Sequence, residues 1–141
     1  EIAFVEGVPV AVDGEELPLV ELVERVGSVV GSYGWGRLDM VENRRVGIKS
    51  RETYECPSGL ALIEAHKDLE SICHERDLAR EKQRLEIRYA ELVYDGLWFS
   101  PLRQALDAFV AVPLEKAGMI DERKGDPRIL LTLTTRLLPW S

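Results

Sequence analysis

Cysteine is scarce in this chain of 141 residues: only Cys56 and Cys73 occur, with no CxxC spacing. Neither a disulfide framework nor a structural zinc site is therefore expected to organise the fold. Long apolar runs are missing too. A stretch such as Ile129 to Leu133 falls far short of the ~20 residues that a membrane span requires, and the first residues lack the apolar core of a secretory signal. The cytoplasm is the expected compartment. Positive charge is outnumbered, with 18 Lys and Arg against 25 Asp and Glu and a formal charge of −7. Nucleic acid and anionic membranes demand clustered cations, so neither is an expected partner. Phosphate-binding loops are absent as well. Gly31, Gly34 and Gly36 lie close together, but they lack the P-loop or dinucleotide spacing and no helix follows them. No HExxH pair, internal repeat or low-complexity tract occurs.

What is present suits one globular domain with a real core. Apolar residues make up 45% of the chain and charged ones 30%, which argues against disorder. Ile2 to Val12 reads as a hairpin turning at Glu6-Gly7, with Asp13-Gly14 as the closing turn signal and Pro9 marking an edge strand or a bulge. After Pro18, the recurrence of Leu19, Leu22, Val23, Val26, Val29 and Val30 predicts an amphipathic helix to about Gly31. Its N-cap is poor, because Leu17 stands where a Ser, Thr or Asp would satisfy free amides. Gly34 to Glu55 changes to extended runs dense in charge. Pro57-Ser58-Gly59 then opens a helix with Leu62, Ala65, Leu69, Ile72 and Cys73 on its apolar face. A charged helix follows from about Glu75 with a narrow stripe at Leu78, Leu85, Tyr89 and Leu92, ended by Tyr94-Asp95-Gly96. Ser100-Pro101 starts another, with Leu102, Ala105, Leu106 and Phe109 inward. Residues 129 to 134 read as strand-like. The expected fold class is α+β, with a mixed or antiparallel sheet, an N-terminal hairpin and several helices behind it.

Three groups of residues invite a chemical reading. Lys49-Ser50-Arg51 could hold an anion, but in a strand Lys49 and Arg51 share one face and Ser50 takes the other, which favours a solvated face. His66, Glu70, Cys73 and His74 fall at i, i+4, i+7 and i+8 of a helix. Cys73 belongs to the apolar stripe, so two surface histidines and a core cysteine are the better reading, with no metal site. Charges on the next helix, Asp77 with Arg80 and Glu81 with Arg84, describe an ordinary solvated helix. Glu42 and Tyr54 differ, since each places a polar head on a rigid strand. The carboxylate can receive an ammonium group, and the phenol can donate to or accept from a carboxylate or amide.

The run GRLDMVENRRVGIKSRETYE from Gly36 to Glu55 resembles the synthetase domain of argininosuccinate synthases. GVPV from Gly7, HKDLES from His66 to Ser71, YAELVYDGLWFSP from Tyr89 to Pro101 and ALDAF from Ala105 to Phe109 agree in the same order. The resemblance spans about Ile2 to Val110. It implies a cytoplasmic, ATP-dependent ligase of arginine biosynthesis and the urea cycle, in which citrulline attacks the α-phosphate of ATP and the aspartate amine then displaces AMP. It implies citrulline contacts at Glu42 and Tyr54, acting by positioning, with no catalytic acid, base or nucleophile in this segment. The family's nucleotide-binding domain, carrying its SGGLDTS phosphate loop, has no counterpart here. The expectation is therefore a piece of a larger enzyme, inactive by itself: ATP (with Mg) would be a co-substrate of the parent and not bound by this segment alone, and its partners would be citrulline, aspartate, the nucleotide domain and copies of itself in a tetramer. The start at Glu1 within a strand pattern fits a cut edge. Residues 1–112 are expected to form the synthetase domain and 113–141 a divergent tail. A structural or oligomerisation module without catalytic activity is the alternative reading.

Overall fold

A computed structural model describes residues 1–111 and 129–131. Strand β1 (Ile2–Val5) turns through Glu6 and Gly7 into β2 (Val8–Val12). Both turn residues have positive φ, 49° and 78°, as a two-residue hairpin matched to strand twist requires. The pairing slips between Ala3 and Phe4, so Phe4 faces Pro9 while Ala3 faces Ala11. The bulge expected beside Pro9 is present. Asp13 and Gly14 repeat the positive-φ turn and lead into an additional short strand, β3 (Glu15–Glu16).

Helix α1 (Leu19–Ser32) starts with Pro18, not Leu17, at its cap, and no side chain satisfies its first amides. Helix α2 (Pro57–Cys73) opens on its proline as expected. Leu22, Val26 and Val30 of α1 pack with Ala61, Ala65, Leu69 and Cys73 of α2 and with Ile2, Phe4 and Val12 of the sheet, forming the core. Leu19, Val29 and Ile72, expected inward, are exposed. A 100° helical step leaves them at the margins of stripes whose centres already fill the contact. Far along the chain, β6 (Ile129–Leu131) pairs antiparallel with β1 and gives a sheet of order β3-β2-β1-β6.

The charged region makes a separate two-stranded hairpin and does not extend the first sheet. Strands β4 (Arg37–Asn43) and β5 (Lys49–Glu55) pair antiparallel with Glu42 opposite Ser50 and Leu38 opposite Tyr54. A tight connection, with Gly47 N–H donating to the Arg44 carbonyl at 2.9 Å, joins them. Helix α3 (Arg76–Tyr94) ends at Asp95 and a left-handed Gly96. Helix α4 (Pro101–Val110) is capped by the Ser100 hydroxyl, which accepts from the Arg103 amide at 3.2 Å. Of its expected inward face only Leu106 is buried; Leu102, Ala105 and Phe109 are exposed. The architecture is α+β. The tail placed at 113–141 lies outside the described residues except for β6.

Candidate functional site

Period-two alternation puts Leu38, Met40 and Glu42 of β4 on the same face as Ser50, Glu52 and Tyr54 of β5. The Tyr54 ring reaches along this face, and its hydroxyl donates to Glu42 Oε2 at 2.8 Å. The two residues singled out in the sequence are thus brought into direct contact. A third group joins them from a distant part of the chain: the Tyr94 hydroxyl, at the end of α3, donates to Glu42 Oε1 at 2.9 Å. Sequence reading treated Tyr94 only as part of a helix stop.

Glu42 is 16% exposed at its side chain. The hydrogen bond from Tyr54, then that from Tyr94, hold its carboxyl below the usual carboxylate range, with the Arg44 charge helping. The same bonds raise both phenols, because a phenolate there would face a carboxylate. Arg44 stands 3.6 Å from Glu42 Oε2, yet its shorter contacts go to Glu52 Oε1 at 2.7 Å and Ser50 Oγ at 2.8 Å. A carboxylate offers about four lone-pair sites. Two phenols, one on each oxygen, leave room for a cationic ligand. Arg45 fixes the setting by donating to Asp95 Oδ1 at 2.5 Å, one residue beyond Tyr94.

The opposite face of the hairpin is a set of ion pairs open to solvent. Arg51 meets both oxygens of Asp39 at 2.9 and 2.6 Å, and Arg37 meets Glu55 at 3.0 Å. Lys49 and Arg51 do share that face, away from Ser50, so an anion would find Arg51 already engaged.

The helical group on α2 is rearranged relative to expectation. Cys73 is in the core, and burial pushes its thiol up. His66 lies edge-on to Phe4 at 6.0 Å and 3.3 Å from Glu70. His74, expected on the surface, is 7% exposed. It caps α2 where the chain turns toward α3, which tucks it between the helices. Among the described residues, no group of three or more His, Cys, Asp or Glu side chains converges as metal ligands, and no helix is long and apolar enough to cross a membrane.

Gly31, Gly34 and Gly36 line a cavity of about 110 Å³ with Trp35, Arg37 and Pro57. The C-terminal end of α1 and Pro57, the first residue of α2, meet at it.

Comparison with known proteins bears on the whole chain. Residues 1–120 match the family model described as "Arginosuccinate synthase C-terminal domain". The chain is 56% identical over 110 residues to the argininosuccinate synthase of Rubrobacter xylanophilus, covering 78% of this chain and 27% of that protein. It is 50% identical over 141 residues to that of Ligilactobacillus salivarius, covering 92% of this chain and 35% of the relative. The Dictyoglomus turgidum protein of the same name is 47% identical, with 100% of this chain and 32% of its own length covered. This chain spans about a third or less of the curated relatives that it matches.

Proposed function

The chain belongs to the argininosuccinate synthase family, and from that premise we propose that it supplies the citrulline-facing wall of the enzyme. The parent activity on this reading is the ATP-dependent ligation of citrulline and aspartate. The ureido oxygen of citrulline attacks the α-phosphorus of ATP and pyrophosphate leaves; the aspartate amine then attacks the ureido carbon and AMP leaves. Glu42 accepts the α-ammonium of citrulline, and Tyr54 contacts the polar backbone end of the same molecule. Both act by orientation, which can supply a large share of a two-substrate rate enhancement. ATP and aspartate are held by a nucleotide-binding domain outside these 141 residues, in the cytoplasm.

The observation carrying this reading is the Tyr54–Glu42 contact at 2.8 Å, which fixes an ionised carboxylate on the open face of a hairpin. A self-assembling parent is supported by apolar side chains left uncovered among the described residues, Phe99 at 86% exposure with Leu97, Ile87 and Val20. The domain is drawn as residues 1–112, with 113–141 as its tail.

The test is kinetic. This chain is grafted in place of the matching 110 residues of the R. xylanophilus protein, and citrulline-dependent AMP release is followed. Glu42→Gln should raise the citrulline KM by about tenfold or more, the loss expected when a charge-assisted hydrogen bond is removed, while the ATP KM holds. An unchanged citrulline KM, or full turnover by this chain without a nucleotide domain, overturns the proposal.

A further inference from the structure

Glu42 and Tyr54 lie on one hairpin, yet the carboxylate is gripped on its other oxygen by a helix 52 residues away in sequence. We propose that Tyr94 is a positioning residue of the substrate site: with Tyr54 it takes one Glu42 oxygen each, turning the remaining lone pairs toward the ammonium group of an α-amino acid ligand. This rests on the citrulline reading and extends it to a residue on a different element.

Three sets of contacts support the role. The Tyr94 hydroxyl donates to Oε1 at 2.9 Å while Tyr54 serves Oε2 at 2.8 Å, so the carboxylate plane is set from two sides. The next residue, Asp95, binds Arg45 of the hairpin turn at 2.5 Å, which locks the end of α3 to the hairpin that carries Glu42. On the hairpin itself, Arg44 stands 3.6 Å from Glu42 Oε2 but makes its shorter contacts with Glu52 at 2.7 Å and Ser50 at 2.8 Å, so it does not take up the carboxylate's hydrogen-bonding capacity. The ionisable and charged groups facing Glu42 are therefore Tyr54, Arg44 and Glu52 of the hairpin and Tyr94 of α3. Tyr94 touches no reacting atom. It acts through Glu42.

The experiment uses this chain with selectively 13C-labelled glutamate, following the Glu42 carboxyl by NMR in the wild type, in Tyr94→Phe, and in Tyr33→Phe as a remote control on an exposed tyrosine. Tyr94→Phe should move the Glu42 titration midpoint up toward the ordinary value of 4.5 without disturbing amide shifts of α1 and α2, and Tyr33→Phe should not move it. The citrulline KM is then measured in the R. xylanophilus chimera carrying the same substitutions, with an analogue lacking the α-amino group as competitive inhibitor. Tyr94→Phe should weaken citrulline about threefold or more and leave the deaminated analogue unaffected.

An unchanged midpoint in Tyr94→Phe overturns the proposal, as does a raised midpoint with unaltered citrulline affinity, which makes the contact merely structural. If Glu42→Gln leaves the citrulline KM of the chimera unchanged while the midpoint still responds to Tyr94→Phe, the substrate reading itself fails and the proposal with it. That pattern separates it from a failure confined to Tyr94.

Discussion

His74 shows how one side chain can work against its surroundings. Both ring nitrogens are covered, and neither has a hydrogen-bond partner among the described residues. A buried polar group left unpaired costs on the order of 1–3 kcal/mol. Burial also drives the imidazole below its ordinary 6.5, despite the nearby Glu70 carboxylate. The unfolded chain therefore takes up the proton first. Its contribution to stability is at its best above pH 6.5 and is lost as pH falls through the lowered folded value. His74→Leu should raise stability by about 1 kcal/mol at pH 7.5, and the gain should grow at pH 5.5. Urea unfolding at the two pH values checks this; a gain that shrinks on acidification would mean that the imidazole has a partner after all. In the sequence, His74 is only the last member of a helical group read as surface, because helical periodicity places it at the end of a stripe and says nothing of its partners.

Among the elements, the β4–β5 hairpin meets α2 through Gly36. Gly36 has φ of 108°, and a Cβ there would stand 2.3 Å from the Cα of Pro57, the first residue of α2. Its carbonyl accepts from the Cys56 amide at 2.9 Å. Backbone strain and overlap with another backbone act together, so Gly36→Ala should cost at least about 2 kcal/mol. Gly34→Ala, also at positive φ but with open space around it, should cost less than Gly36→Ala. Thermal unfolding of both variants tests the ordering; equal losses would show that φ alone decides. Such short-range features were largely legible beforehand: Glu6-Gly7 and Asp13-Gly14 announce their turns, and Ser100-Pro101 announces a cap that the structure repeats. The α1 stripe was legible at its centre, Leu22 and Val26, and misleading at its margins, Leu19 and Val29. Long-range meetings were not legible. Nothing in the spacing around Tyr94 points to Glu42, and a lysine at position 82 of a charged helix gives no sign that it will be buried.

For the molecule as a whole, that lysine joins two parts. The main core is built from β1, β2, α1 and α2, whereas α3 and α4 contribute only Leu92 and Leu106 as buried apolar residues. Between α2 and α3 lies an open cleft of about 830 Å³. Across it Lys82, 3% exposed, donates to Glu70 of α2 at 2.6 Å and also to Glu86 on its own helix. Burial alone would push Glu70 up. Hydrogen bonds from His66 and Lys82, with the Lys82 charge, outweigh it and hold the carboxyl at about 2 against an ordinary 4.5. A folded value below the unfolded one means that this link contributes fully above pH 4.5 and is lost as pH falls toward about 2. Lys82 is raised by the same partners in spite of its burial, so it remains charged throughout that window. Because α3 rests on α2 through polar contact more than through apolar packing, acid should free α3 and α4 while the main core stays folded. In 1H–15N spectra taken from pH 5 to 2, α3 and α4 resonances should lose dispersion before those of α1 and α2. Lys82→Met removes one partner of a buried pair, a change worth about 3 kcal/mol, and should produce the same selective loss already at pH 7. A single transition shared by all four helices in both experiments would show that α3 is held by packing and that the Glu70–Lys82 pair is incidental to it.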